Sequence, residues 1–154
     1  MKSRSRSPRG ASWARQVGDA CARRSLHLTP LRESVLEILA ASEAPLGAYA
    51  ILEALARREG KPIAPPTVYR ALDFFKDNGF LHKIESRNLY APCEHVGHAH
   101  EVVLLLCENC GRSEEAEDAS VAQALSALTK KAGFAARRRT MEVQGLCRRC
   151  AAAA

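Results

Sequence analysis

Two Cys-x-x-Cys pairs constrain the fold of this chain more than any other feature. Cys107 and Cys110 form the first pair, Cys147 and Cys150 form the second, and 36 residues lie between the pairs. A Cys-x-x-Cys turn presents two thiolates to one ion, so two such turns supply the four sulfur ligands of a structural zinc site. The alternative is that these cysteines are merely buried or disulfide-bonded. The doubled spacing favours zinc, which would close a small domain at its base.

Excess positive charge is confined to the first 90 residues. Residues 1–90 contain 15 Lys and Arg against 9 Asp and Glu, whereas residues 91–154 contain 8 of each, so the net charge of +6 lies entirely in the first part. Such an excess indicates a polyanionic partner, and nucleic acid is the leading candidate. A basic surface that only confers solubility is the alternative.

The chain contains no sequence that would place it in a membrane or direct it to secretion. No apolar run reaches membrane-spanning length, and the arginine-rich start lacks the apolar block of a signal peptide. We therefore expect a cytoplasmic protein, in which cysteines are more often metal-bound than disulfide-bonded. Residues 1–12 alternate basic and small polar residues with almost nothing to bury, and we predict a disordered basic arm there.

Residues 13–91 have the pattern of a winged helix-turn-helix domain. Apolar spacing predicts helices at about Trp13–Arg24, from Pro30 with Thr29 as N-cap, at Ala48–Arg58, and at Val68–Asn78 with Thr67 as N-cap. Two strands follow, Phe80–Ile84 and Asn88–Ala91, joined by a polar turn. Helices followed by such a hairpin are typical of winged DNA-binding domains.

The fourth predicted helix leaves Tyr69 and Arg70 on its outer surface. In a major groove, arginine can pair with guanine, and tyrosine can contact phosphate or base. The alternative is that Arg70 pairs with Asp73 on a solvated surface.

Residues 92–154 are predicted to form a small α/β domain. We expect strands at Glu101–Leu106, Arg112–Glu115 and Ala135–Gln144, and a helix from Asp118 or Ser120 to Lys131 that buries Val121, Leu125 and Leu128. Such a unit is too small to be robust unaided, so its metal is part of its fold. Its sheet could also pair with a second copy of itself.

The remaining metal donors suggest a second site. They are His82, Cys93, His98 or His100, and Glu114 or Glu115. One sulfur, two nitrogens and one oxygen suit Zn²⁺, and the ligands would come from both predicted domains. Metal would then favour one orientation of the two domains, which is how a sensor works. Ordinary exposed histidines are the alternative.

Enzyme motifs are absent from the sequence. It has no H-E-x-x-H, and Pro92-Cys93 lacks the second cysteine of a deaminase site. We expect no enzyme and no small-molecule substrate, although an open catalytic zinc with Glu115 as base is one alternative. A thiol redox protein using Cys21 or Cys93 is another, but Cys21 lies on an apolar helix face that suits a small buried hydrophobe.

Several motifs resemble the ferric uptake regulator superfamily. They are Thr29–Arg32, Pro66–Leu72, Cys107–Gly111 and Glu142–Cys150, and the resemblance covers about residues 15–150. It implies a homodimer with an N-terminal winged-helix domain and an α/β dimerisation domain, which represses promoters when metal is bound.

Within the superfamily the chain is most similar to the zinc uptake regulator branch, through Pro65–Phe74, Gly79–Ser86 and Gly145–Cys147. This implies a zinc-responsive repressor of zinc-uptake genes that binds double-stranded operator DNA and two Zn²⁺ per chain. The resemblance assigns structural zinc to Cys107, Cys110, Cys147 and Cys150. It assigns the regulatory site to His82, Cys93, His100 and Glu115. It also implies that Tyr49 and Arg70 contact bases, and Thr67 and Tyr69 complete the expected DNA-binding set.

The sequence departs from related sensors at two positions. Arg139 stands where iron-type relatives usually carry a histidine, which disfavours the alternative of a sensor of iron, manganese or peroxide. Ala56 stands where the zinc branch carries the basic partner of an acid such as Glu53, so contact between two DNA-bound dimers is not predicted.

Overall fold

The computed structural model describes residues 8–97 and 101–153, and the chain divides into two compact units, Met1–His98 and Ala99–Ala154. The predicted domain boundary, after residue 91, lies slightly before this division. Most of the predicted arm, together with His98 and His100, lies outside the described residues. Among the helices described, none is long and apolar enough to cross a membrane.

The first unit consists of four helices and a small antiparallel sheet. Its elements are α1 (Pro8–Arg23), α2 (Pro30–Ala41), β1 (Leu46–Gly47), α3 (Ala48–Glu59), α4 (Pro65–Asp77), β2 (Leu81–Ile84) and β3 (Leu89–Pro92). The strand order is β1-β3-β2, so the predicted hairpin gains a third, two-residue strand. This short strand was not predicted because two residues carry no periodicity.

Fully buried side chains from all four helices and the hairpin fill the core of this unit. They include Val17, Val35, Ile51, Leu72, Phe75 and Phe80. Thr29 accepts a hydrogen bond from the N–H of Arg32 at 3.3 Å, as an N-cap should, and Pro30 occupies the first turn of α2. The helix-turn-helix with its wing is therefore formed as the apolar spacing predicts.

Two helix starts in the first unit differ from prediction. The helix α1 begins at Pro8 rather than Trp13, and a Cβ at Gly10 would lie only 1.8 Å from the carbonyl oxygen of Ala40, so α1 and α2 meet backbone to backbone there. The prediction that Thr67 caps α4 is wrong: Ala64 is the N-cap, and Thr67 lies inside the first turn. Prolines at the first two helical positions cost the helix no hydrogen bond, because the N–H groups of residues at these positions have no partner within a helix.

The second unit is built on a three-stranded sheet with two helices. Its elements are β4 (Val103–Cys107), β5 (Ser113–Ala116), α5 (Ala119–Lys131), β6 (Glu142–Gly145) and α6 (Arg148–Ala152). The strand order is β5-β4-β6, with β4 antiparallel to β5 and parallel to β6. Each of the two units contains helices and a small sheet, which confirms the predicted α+β class. The last strand is much shorter than Ala135–Gln144, and α6 was not predicted.

The apolar face of α5 is not buried within the chain. Leu128 is 63% exposed, Val121 is exposed and Leu125 is half-buried, so the prediction that these three residues pack inward is wrong for the single chain. Phe134, Val143 and Leu146 of the same unit are exposed as well. Periodicity identifies an apolar face correctly but does not tell which molecule covers it.

Candidate functional site

The two Cys-x-x-Cys pairs are brought together by the parallel pairing of β4 with β6. Cys107 ends β4 opposite Gly145, and the N–H of Glu108 donates to the carbonyl of Gly145 at 2.8 Å. Cys147 therefore follows two residues after the pairing ends, next to the first pair. Cys150 lies one turn further along the chain in α6, and residues three apart on a helix share a face.

The first turn depends on a left-handed residue. Gly111 has φ +73°, a conformation that side chains other than glycine's rarely adopt, and it allows the N–H of Cys107 to donate to the carbonyl of Arg112 at 2.9 Å. The chain then returns as β5. The sequence Cys-x-x-Cys-Gly thus encodes both the thiols and the turn that presents them.

The four sulfurs have the spacing that a tetrahedral zinc site requires. The sulfurs of Cys107, Cys110, Cys147 and Cys150 all lie within 4.8 Å of one another, and Sγ of Cys110 is 3.8 Å from Sγ of Cys147. With Zn–S bonds of about 2.3 Å, the edge of a sulfur tetrahedron is roughly 3.8 Å. None of the six cysteines, all within the described residues, forms a disulfide. These donors therefore fit zinc.

Backbone hydrogen bonds favour the thiolate form that binds zinc. The N–H groups of Cys110 and Cys147 lower the pKa of the Cys107 thiol to about 6, and the second of these bonds is 3.4 Å long. The N–H of Cys150 lowers the pKa of Cys147 in the same way. Amide donors pointing at a sulfur stabilise its negative charge, so they favour the thiolate forms of Cys107 and Cys147.

Two of the four residues proposed for the second site lie together in the first unit. His82 is on β2 opposite Ala91, and Cys93 follows β3 on the same face of the sheet. A ring nitrogen of His82 and Sγ of Cys93 lie within 4.8 Å of each other, and Cys93 is 1% exposed. A buried thiol beside a buried imidazole nitrogen is a suitable half-site for zinc.

The other two predicted ligands fall elsewhere in the chain. Glu115 is half-buried on β5 of the second unit, whereas Glu114 beside it is exposed. His100 lies outside the described residues, as does the alternative His98. Arg139 donates to Glu101 at 2.7 Å, so the position where iron-type relatives carry a histidine is occupied by an ion pair.

The predicted DNA-binding tyrosines lie on one surface. Tyr49 at the start of α3 and Tyr69 in α4 line a shallow apolar depression together with Leu52 and Pro65. Tyr49 is 68% exposed and Tyr69 37%. Tyr49 was identified as a DNA-binding residue only through the family resemblance. The residues themselves carry one indication of such a role, which is a large aromatic side chain at an outward position beside the buried Ala48.

Arg70 follows Tyr69 in α4 and is exposed, and Thr67 is half-buried one turn earlier. The carboxylate of Asp73 accepts from Lys76 at 2.8 Å, and no described residue forms an ion pair with Arg70. The predicted alternative, in which Asp73 holds Arg70, is therefore not observed. The guanidinium is available for another partner.

Cys21 has the environment of a structural residue. It is 2% exposed in the core of the first unit, and burial raises the pKa of its thiol despite the nearby Arg24 and Arg32 guanidinium groups. A buried thiol with a raised pKa is unreactive. This agrees with its interpretation as a small hydrophobe.

Comparison with known proteins gives a consistent result. The sequence model of the Ferric uptake regulator family matches residues 23–144. The zinc uptake regulation protein of Escherichia coli (strain K12) is 39% identical over 137 residues, which cover 88% of this chain and 79% of that protein. The protein of the same name from Shigella flexneri matches equally well.

Two solved structures share the fold. A zinc uptake regulator complexed with zinc and DNA is 36% identical and has a TM-score of 0.85, with 94% of this chain and 96% of that chain covered. The crystal structure of holo XcZur is 44% identical and has a TM-score of 0.82, with 92% and 98% covered.

Proposed function

The chain belongs to the ferric uptake regulator family, as its motifs predict, and on that premise we propose that it is a zinc-responsive transcriptional repressor. It binds operator DNA as a homodimer when its regulatory zinc site is filled and represses zinc-uptake genes. The observation that carries this proposal is the likeness, over 94% of the chain, to a zinc uptake regulator complexed with zinc and DNA.

Two zinc ions per chain are part of the proposal. The four-sulfur cluster holds the first, which supplies the cross-link between the ends of β4 and β6 and so completes the fold of a unit with few buried side chains. A cluster of four cysteines with no place for water has the composition of a structural site.

His82 and Cys93, joined by His100 and Glu115, form the regulatory site in this proposal. In this proposal these four side chains would supply the four ligands of one bound zinc ion. Two ligands belong to the DNA-reading unit and Glu115 belongs to the other, so occupancy restricts how the units are arranged. A set of one thiolate, two imidazoles and one carboxylate is softer than the sites that hold iron or manganese.

Operator recognition is assigned to Tyr49, Thr67, Tyr69 and Arg70. Arg70, exposed and next to Tyr69 in α4, is free to pair with a guanine edge, and Tyr69 lines one depression with Tyr49. The excess positive charge of residues 1–90 supplies the phosphate contacts that position the domain.

Homodimerisation is assigned to the second unit. Among the described residues, six of the eight large hydrophobic side chains left exposed belong to it: Leu105, Val121, Leu128, Phe134, Val143 and Leu146. Faces of this kind mark interaction surfaces, and the symmetric solution for a homo-oligomer is a two-fold dimer. We also assign the protein to the cytoplasm, where operator DNA lies. We assign it no catalytic reaction.

The proposal is tested by measuring zinc per chain and operator mobility before and after mild chelation. We expect two zinc ions to fall to one, with operator binding lost and then regained when zinc is added back. One tightly held ion, with operator binding indifferent to chelation, would show that His82 and Cys93 belong to no sensor.

A further inference from the structure

The C-terminal end of α4 is held by an arginine from the first helix. Arg24, directly after α1, donates from Nη1 to the backbone carbonyl of Asn78 at 2.9 Å and from Nη2 to its Oδ1 at 3.2 Å. Asn78 is the C-cap of α4, and its Nδ2 donates to the carbonyl of Phe74 at 2.8 Å. A cation at this position is favourable because the last carbonyls of a helix carry partial negative charge.

The same guanidinium also covers the residue that leaves the helix. Its central carbon is 5.4 Å from the ring centroid of Phe80, within the range of a cation–π contact. Phe80 is fully buried against Phe75, and its N–H donates to the carbonyl of Phe75 at 2.8 Å. Arg24 thus contacts both sides of the turn that ends α4.

That turn is joined directly to the segment that carries Cys93. The N–H of Cys93 donates to the carbonyl of Phe80 at 3.0 Å, and the N–H of Gly97 donates to the carbonyl of Gly79 at 3.5 Å. Gly79 itself has φ +76°, so the turn depends on a glycine. One continuous set of contacts therefore runs from Arg24, through residues 78–80, to Cys93.

We propose that Arg24 is a positioning residue that couples the regulatory metal site to the recognition helix α4. It fixes the end of α4 to the turn that holds Cys93, so that the helix and the metal-binding segment move as one body. This rests on the proposed function, since it requires that metal at Cys93 controls DNA binding. Without Arg24 the turn keeps its backbone hydrogen bonds to Phe75 and Cys93 but loses the contacts that hold Asn78 and Phe80 to the end of α1. The end of α4 is then held less tightly relative to Cys93, and zinc changes operator affinity less.

The test uses the full-length protein and an operator selected from a random duplex library with the wild-type chain. Operator Kd is measured with the regulatory zinc present and after mild chelation, and the ratio of the two values is the coupling. We expect Arg24→Ala to reduce this ratio about tenfold, within the usual range of such couplings. Arg24→Lys should reduce it too, because an ammonium keeps the charge but cannot make both hydrogen bonds and stack on Phe80.

Arg23→Ala is the matched control. Arg23 is the exposed last residue of α1, and no hydrogen bond or ion pair of its side chain occurs in the part of the chain that the structure describes. The Arg23→Ala variant loses the same charge as Arg24→Ala, so it should weaken operator binding equally with and without the regulatory zinc and leave the ratio unchanged. Thermal unfolding of each variant gives the folded fraction with which the Kd values are corrected.

Three outcomes would overturn the inference. An Arg24→Ala ratio equal to that of Arg23→Ala would make Arg24 an ordinary surface charge. A lowered Tm with an unchanged ratio would limit it to stabilising the fold. A wild-type ratio of one would remove the proposed function and this inference together, whereas either of the first two outcomes, obtained with a normal wild-type ratio, would remove the inference alone.

Discussion

Arg70 combines the lack of an ion-pair partner among the described residues, which Arg23 shares, with a place on the predicted recognition helix α4. Arg24 and Arg32 lie over the aromatic rings of Phe80 and Phe74, and Arg58 pairs with Glu37, so these charges are used within the protein. Arg70 is exposed on α4 beside Tyr69 and has no such partner among the described residues. It is therefore the arginine best placed to read a base.

We expect Arg70→Ala to reduce operator discrimination strongly while leaving dimerisation and zinc content intact. Loss of one bidentate arginine–guanine pair costs about 1–3 kcal/mol of discrimination, roughly 5- to 150-fold. Competition gel shifts with operator and unrelated duplexes measure this. Arg15→Ala, which removes an exposed charge of α1, is the control and should weaken both duplexes alike. Unchanged sequence preference in Arg70→Ala would contradict the assignment.

The two cysteine sets should respond differently to serine. Cys147→Ser removes a proposed zinc ligand next to the paired ends of β4 and β6, so we expect loss of folding or dimerisation in the second unit. Cys93→Ser leaves that cluster whole and should cost only zinc-dependent operator binding. Sedimentation and gel shift separate the two results. Identical behaviour of both variants would refute this division between a structural and a regulatory site.

The exposed apolar face of α5 predicts that this helix packs against a second copy of the chain. Leu128→Glu changes a side chain that is 63% exposed in the chain, so the unit itself should stay folded. Burying a leucine contributes about 1.5–3 kcal/mol, and a two-fold interface loses this twice, so we expect dimer dissociation to rise by at least tenfold.

Sedimentation equilibrium measures this change in the dimer. Gln123→Glu adds the same charge at another exposed position of α5 and should leave the dimer intact. If Leu128→Glu remains as dimeric as Gln123→Glu, the exposed face of α5 is not the interface.

Elements with a strong local signal could be predicted from the sequence, and those defined by contacts could not. The cap at Thr29 and the Cys-x-x-Cys-Gly turn are local, and both occur as expected. The start of α4 was misplaced because two prolines suggest a break, yet in a first turn they fit. The strand β6 is short because its length is set by its pairing with β4. The residues of β6 do not themselves indicate where that pairing begins and ends.

At the scale of the whole molecule, charge separates the two units. The excess of six positive charges lies in residues 1–90, so operator affinity should fall steeply with salt while dimerisation changes little. For six or more phosphate contacts we expect a loss of at least about a thousandfold between 50 and 200 mM salt. Gel shifts over a salt series measure the operator affinity, and sedimentation over the same series measures dimerisation. An operator affinity that does not change with salt would argue against phosphate contacts.

The candidate sites were predictable to different degrees for a physical reason. Sulfur ligands in two fixed-spacing turns define their own geometry, so the four-cysteine cluster follows from the sequence alone. The register of the two wing strands makes His82 and Cys93 neighbours, and this register has to be known before the two residues can be paired. Tyr49 could be identified only by its resemblance to the family. The contacts of Arg24 with Asn78 and Phe80 join residues far apart in the chain and leave no periodic signal, so only the structure reveals them.

The pairing of β4 with β6 also sets an order of events during protein synthesis. All the helices and strands of the first unit precede residue 93, so that unit can fold while the ribosome is still adding the rest. The four thiols of the second unit meet only once Cys150 has been made. Each nascent chain therefore passes through a stage with a finished first half and an open, thiol-bearing second half. Capture of the proposed structural zinc therefore follows the folding of the first unit and precedes any dimerisation that depends on a folded second unit.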